Sequence, residues 1–216
     1  MAESVYRHIR DAIVEGAYAA DSQLVQEQVA DELGVSRTPV REALGRLSIE
    51  GLVTWVPRSG YTVNGLSDAD INDVFEVRQS LEILALRHAC GRLNRTQAAR
   101  VRVLVAEMDE ADPTDAVAQF ELNRRFHQSM VEPCGNRYLL GLLDQLWDNP
   151  VSRRITRSYI HDGVNVARMV AEHEAILQAS LEGDLEALLR LSMAHMTQGY
   201  GEALNTAVLP PSQATA

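Results

Sequence analysis

The chain contains no lysine: all 20 of its Lys/Arg positions are arginine, so each permanently cationic side chain is a planar guanidinium. It has two cysteines, Cys90 and Cys134, 44 positions apart and in no CxxC pair. That excludes a disulfide framework and a cysteine metal knuckle, and it fits two ordinary thiols in a reducing compartment. No apolar run approaches the roughly 18 residues of a membrane-spanning helix, and the start Met1-Ala2-Glu3-Ser4 lacks a basic and then apolar signal region. These absences predict a soluble, cytoplasmic protein with no membrane partner. Two enzyme classes also fall away. His173-Glu174 begins like HExxH, but the fifth residue is Leu177, and no ExxH pair occurs, so neither a zincin helix nor a ferritin-like carboxylate set is present. A metalloenzyme is therefore the least favoured reading, and no catalytic residue is expected.

What is present begins with Leu33-Gly34-Val35-Ser36-Arg37-Thr38-Pro39-Val40-Arg41-Glu42-Ala43-Leu44. Gln26 to Leu33 carries Val29, Ala30 and Leu33 at helical spacing, and Gly34 stands where a left-handed residue ends a helix. Ser36 reads as the next N-cap, Pro39 falls in a first turn, and Val40, Ala43, Leu44 and Leu47 form a buried stripe. Arg37, Thr38 and Arg41 are left facing outward. Guanidinium groups there can make paired bonds to guanine or grip phosphate, as the first turn of a recognition helix does in the DNA major groove. Gly51 stops the helix; Leu52-Val53-Thr54-Trp55-Val56 and Tyr61-Thr62-Val63 then read as a hairpin whose turn, Pro57-Arg58-Ser59-Gly60, makes a basic wing tip.

Residues 5 to 63 resemble the winged helix-turn-helix of GntR-family transcription regulators through Leu24, Ala30, the segment Val35 to Leu44, Leu47, Glu50-Gly51-Leu52-Val53 and Gly60. The resemblance implies contacts to double-stranded operator DNA from Ser36, Arg37, Thr38, Arg41 and the wing residues Arg58 and Gly60. Glu27 stands where some members carry a phosphate-binding arginine. The net charge of −10 runs against an anionic partner, yet residues 36 to 58 hold four Arg (37, 41, 46, 58) and two Glu (42, 50). A local basic face on an acidic body binds DNA weakly unless two copies act together, so a homodimer on a pseudo-palindromic site is expected.

Length and a 46% hydrophobic content suit two small domains. The expected division is residues 1–65 for DNA binding, 66–69 as linker around Gly65, 70–204 as an all-helical domain and 205–216 as a frayed tail. The fold class is mainly α, an N-terminal winged helix-turn-helix with a small β-hairpin wing followed by an all-α bundle of six or seven helices. Helices are expected over Asp68 to Arg92, Gln97 to Asp109, Thr114 to Val131, Asn136 to Trp147, Val151 to His161, Asn165 to Glu182 and Leu185 to Leu204, with Pro and Gly between them.

Within this half, Asn123 and His127 are four apart and share a helix face, roughly 6 Å from each other. His173 lies ten residues before Gly183 and His195 twelve after it. At about 1.5 Å per residue the two reach the same height in an antiparallel hairpin to within roughly 3 Å. Three imidazoles and the Asn123 amide oxygen could hold one divalent transition metal, zinc first, with nickel, cobalt or manganese also suited. Taken singly, each histidine reads as a hydrogen-bonded core or surface residue rather than as a ligand; agreement of the three in height and face is what favours a site.

Residues 70 to 202 resemble the FCD effector module of the FadR-like branch of that family. The shared residues are Val77-Arg78-Gln79-Ser80-Leu81-Glu82, Asn123-Arg124-Arg125-Phe126-His127, Gly135-Asn136 with Leu139, and His173-Glu174-Ala175-Ile176 with Gly183-Asp184 and His195. The resemblance implies that Asn123, His127, His173 and His195 are the metal ligands, with Asn where aspartate is frequent, and that a small organic acid binds on the metal as effector. Arg78 is a candidate second anchor for that acid, or else the ion-pair partner of Glu82. The expected function is a sequence-specific repressor released or tightened by the acid. A DNA-binding architectural protein without an effector is the alternative.

Overall fold

Val5, Tyr6, Ile9 and Ile13 recur at intervals of one to four residues, and burying that stripe makes residues Ala2–Val14 a helix, α1, packed against the helix over Arg37–Ile49. In this computed structural model the described residues are 1–65, 67–149, 152–153 and 163–207, the side chains of 163–164 and 202–207 excepted. Helix α2 (Gln26–Glu32) buries Val29 and Ala30, with Leu33 packed on the same core. Gly34 then turns the chain at φ +64°, and the Val35 N–H donates to the Ala30 carbonyl at 2.9 Å, closing the helix end.

Helix α3 (Arg37–Ile49) buries Pro39, Val40, Ala43, Leu44 and Leu47. Ser36 holds the N-cap position in extended backbone, but its side chain makes no capping bond. The third residue of the helix, whose N–H a cap hydroxyl commonly takes, is Pro39, which has none.

The wing differs from a plain hairpin. Strands β2 (Val53–Val56) and β3 (Gly60–Val63) pair antiparallel with Trp55 opposite Tyr61, and a two-residue strand β1 (Gln23–Leu24) adds on the far side of β3, giving the order β1-β3-β2. Two residues show no alternation, so β1 left no mark in the sequence. A Cβ at Gly60 would lie 2.9 Å from the Leu24 carbonyl oxygen, and its φ is +90°, so the third strand is what makes glycine necessary there.

The second half is helical: α4 (Asp68–Ala89), α5 (Arg95–Glu110), α6 (Ala116–Val131), a 3-10 turn (Glu132–Cys134), α7 (Arg137–Asp148), α8 (Gly163–Glu182) and α9 (Leu185–Ala207). Asn94 and Gln97 form a reciprocal capping box on α5, and the Asp115 carboxylate caps α6 through the Val117 and Ala118 amides. Helix α4 packs on α6, α7 and α9, and α8 on α5, α6 and α9. Phe120, Phe126, Leu104, Met108 and Met130 fill the space between them. The linker expected at 66–69 is shorter, because α4 already begins at Asp68. The tail expected from residue 205 is helical through Ala207, since no breaker precedes Pro210. The helix expected over Val151 to His161 lies, apart from residues 152–153, outside the described residues.

By contacts the chain forms two units, Met1–Ser67 with Asn149–Arg154, and Asp68–Asp148 with Ile155–Ala216.

Candidate functional site

In the first unit, Ser36, Arg37, Thr38 and Arg41 are all exposed on the opening turn of α3. Arg37 lies 3.7 Å from Glu27 of α2, an exposed pair worth little in water and easily exchanged for a phosphate. Arg58 is exposed at the tip of the wing with φ +69°, a left-handed backbone uncommon outside glycine. Arg46 departs from its expected role in the basic cluster. Its guanidinium sits 3.6 Å over the Tyr6 ring and bonds Glu50 and Glu3, so it ties α3 to α1. The basic surface is thus Arg37, Arg41 and Arg58.

The second unit brings the histidines together. His127 comes from α6, His173 from α8 and His195 from α9, and the three offer ligand atoms within 4.8 Å of one another. The His173 and His195 Nε2 atoms are 3.2 Å apart, and those of His195 and His127 are 3.3 Å apart. Three nitrogens bound to one ion at ~2.05 Å in tetrahedral geometry stand ~3.3 Å from each other. Asn123, on the same face of α6 as His127, is buried, and its Oδ1 has no hydrogen-bond partner among the described residues. Leaving a buried amide oxygen unpaired costs about 1–3 kcal/mol, which a bound ion would offset. The four residues therefore fit a metal.

Carboxylates fix the direction of two rings. Glu82 Oε2 lies 3.0 Å from His127 Nδ1, and Glu172 Oε2 lies 2.6 Å from His195 Nδ1. An Nδ1–H donated to each carboxylate leaves the Nε2 lone pair directed at the cluster, the arrangement that orients histidine ligands. Lone pairs facing each other at 3.2–3.3 Å repel unless a cation or proton lies between them. His173 is held otherwise, stacked on Phe126 with ring centroids 3.8 Å apart.

Each carboxylate is in turn paired with an arginine four residues earlier on its own helix, Arg78 with Glu82 at 2.9 Å and Arg168 with Glu172 at 3.3 Å. Arg78 also lies 4.0 Å over the Trp147 ring. The ion pair read from sequence as the alternative for Arg78 is therefore present, and Arg78 also lines a cleft beside the cluster with Asn123, Asn165, Arg168, Glu172 and His195. The sequence marks Glu82 only as an ion-pair partner of Arg78 and does not single out Glu172; neither shows there as the support of a histidine ring, because an Arg–Glu pair at four-residue spacing looks the same on a solvated helix surface.

Burial pushes His127 down to about 4 despite Glu82, and burial together with His195 and His127 holds His173 well below its ordinary 6.5. Burial would raise the Glu82 carboxyl, but Arg78 and His127 outweigh it and hold it well below the usual carboxylate range. The His127 and His173 imidazoles are therefore neutral at pH 7, as ligands must be. In the unfolded chain these two take up protons as pH falls past about 6.5, while in the native state they do not. Stability of EDTA-treated protein is thus full above that pH and drains as pH falls toward 4. Glu82 adds to the loss only below its own unfolded value. At pH 5 His127 alone should cost up to about 2 kcal/mol relative to pH 7.5, read from urea midpoints. Equal midpoints at the two pH values would contradict these protonation states.

Comparison with known proteins places both units. Residues 1–63 match the family described as "Bacterial regulatory proteins, gntR family", and residues 73–198 match the FCD domain. The Nta operon transcriptional regulator of Aminobacter aminovorans is 30% identical over 183 residues, 80% of this chain and 87% of that protein. The HTH-type transcriptional repressor GlaR of Escherichia coli (strain K12) is 28% identical over 148 residues, 66% of this chain and 67% of that protein. The structure of E. coli McbR/YncC has the same fold, with a TM-score of 0.71 and 23% identity over 94% of this chain and 97% of that one.

Proposed function

This chain belongs to the GntR family of bacterial transcription regulators, with a DNA-binding head and an FCD domain, and on that premise we propose that it is a metal-dependent, acid-responsive repressor. It is a regulator of transcription and not an enzyme. A divalent transition ion, zinc first, is held by Asn123, His127, His173 and His195, and a small organic acid binds beside it. The observation that carries this reading is the convergence of three Nε2 atoms from α6, α8 and α9, with the buried Asn123 amide one turn before His127 on α6. When bound, the ion supplies a Lewis-acidic position for a carboxylate. Arg78, in the cleft wall, adds positive charge on the same side. Repression follows the analogy with GlaR, which carries that name.

Two chains pair so that two α3 helices meet a pseudo-palindromic operator, and the acid shifts the populations of well-spaced and badly spaced heads. Ser36, Arg37, Thr38 and Arg41 on α3 and Arg58 and Gly60 of the wing contact bases and phosphates. Arg37→Ala and Arg41→Ala should each weaken binding to the operator by about 1–3 kcal/mol, roughly 5- to 150-fold in Kd by gel shift. Unchanged affinity in both variants would remove the assignment of α3. For the sensor, the test is metal analysis of purified protein followed by melting with a panel of carboxylic acids. A protein free of metal, whose melting ignores every acid, would leave a DNA-binding protein without an effector.

A further inference from the structure

Helix α4 carries two apolar faces. Ile71, Phe75, Ala85, Leu86 and Ala89 form the buried one, packed toward α6, α7 and α9. Val74, Val77, Leu81 and Leu84 form the other, roughly a third of a turn away around the helix, at spacings of 3, 4 and 3 residues. Val77 is 50% exposed and Leu84 45%, and Val74 and Leu81 are half-buried. That alternation is the seam of a two-helix coil, and one more step at each end brings in Asp70 and His88, both exposed. A surface helix serving only its own core has no use for a second apolar stripe.

Charge on the outer side of α4 is divided by sign along its length. Asp68, Asp70, Asp73 and Glu76 stand exposed in the first half, Arg87 and His88 in the last turn. A second copy laid antiparallel, with the two-fold axis at the level of Gln79 and Ser80, sets Val74 against the partner's Leu84 and Val77 against the partner's Leu81. Asp70 then meets the partner's His88. Beside the seam, Asp73, Ser80 and Arg87 recur every seven residues and are all exposed. In the same register Asp73 meets the partner's Arg87, and Ser80 meets the partner's Ser80. One arrangement thus satisfies the apolar layers and the charges together, as a two-fold interface requires. A parallel pairing would set Asp70, Asp73 and Arg87 each against its own copy. We propose that α4 is the pairing surface of this protein and that its occupant is α4 of a second copy, antiparallel in this register. This rests on the paired-chain reading above and names the face that pairs.

The test is sedimentation equilibrium of the full chain. Wild type should dimerise, and Leu84→Asp, which sets a carboxylate against the partner's Val74, should raise the dissociation constant at least about a hundredfold. Asp73→Arg should raise it about tenfold by placing like charge at the partner's Arg87, and adding Arg87→Asp should restore it to within about threefold. A variant that merely loosened the helix would not be rescued in this way. Ser80→Cys should be joined to its own copy by a short bismaleimide, above the background of wild type with Cys90 and Cys134. His88→Cys should not be joined, because antiparallel copies of that position stand about 27 Å apart along the seam. Joining at His88→Cys, or no rescue by the double charge swap, overturns the register and with it the proposal. A wild-type dimer unmoved by Leu84→Asp and Asp73→Arg overturns the α4 assignment alone and moves the pairing to another face, such as Tyr138 and Leu142 on α7. A wild type that stays monomeric overturns it together with the paired-chain reading.

Discussion

Glu82→Ala is expected to cost the helical unit about 3–5 kcal/mol in urea unfolding of EDTA-treated protein. Glu82 is 2% exposed and Arg78 5%, and their ion pair spans 2.9 Å. Removing the carboxylate leaves a guanidinium in the interior with its opposite charge gone and the His127 Nδ1–H without its acceptor. The direction of the argument can be checked separately. Arg78→Met with Glu82→Leu removes both charges and keeps the volume, so the double variant should be more stable than Glu82→Ala, because desolvation of an unpaired ion no longer opposes folding. Trp147, which lies beneath Arg78, reports the transition once Trp55→Phe has silenced the only other tryptophan. A loss below about 1 kcal/mol would mean that water reaches the pair and that the interior is not as dry as its burial implies.

The same pair shows where reading from sequence reaches its limit. The DNA-binding head of the chain is legible because each residue type there has one local reason: Gly34 for a left-handed turn, Pro39 for a first turn, Val40, Ala43, Leu44 and Leu47 for one buried stripe. The histidine cluster was legible for a different reason. Counting along two helices from a tight turn at Gly183 fixes relative height, and that single number brought His173 and His195 together. Glu82 and Glu172 carry no such mark, since an Arg–Glu pair four apart has the same pattern whether it faces water or a core. Strand β1 was missed because two residues cannot show a period of two, and Arg46 because charge counting does not reveal that a guanidinium is stacked on Tyr6. Long-range packing decided all three, and it is the part that local pattern does not encode. Helix α1 was available: Val5, Ile9 and Ile13 at four-residue spacing mark an amphipathic helix before the first turn.

Two features of the second unit belong together. Arg78–Glu82–His127 and Arg168–Glu172–His195 are built alike, each an arginine and a glutamate four apart on one helix with the glutamate receiving a ring of the cluster. One chain is sealed, with Arg78 and Glu82 both buried. The other is open: the Arg168 and Glu172 side chains are 35% and 29% exposed, at the cleft.

His173→Ala should abolish metal binding and leave the operator affinity of the metal-free protein largely unchanged. His173 is fully buried, between Phe126 and the other two imidazoles, and its Nδ1 has no hydrogen-bond partner, so no other described contact explains an imidazole at this place. Its removal leaves two nitrogens and one uncharged amide oxygen, a weaker donor set than the three imidazoles supply. The substitution also opens a cavity, which lowers stability whether or not a metal binds, so a drop in melting temperature alone decides nothing. The discriminating quantity is the response to EDTA. An ion present at about a thousandfold over its Kd stabilises the native state by about 4 kcal/mol, which for a chain of this size moves Tm by roughly 10 °C. Wild type should lose that increment on chelation and His173→Ala should lose none of it. Asn123→Asp should move the other way, adding a negative charge at the orphaned oxygen and raising the EDTA concentration needed to strip the ion. If His173→Ala retained metal at wild-type stoichiometry, the convergence of the three rings would be a packing arrangement, and the sensor would have to lie elsewhere in the bundle.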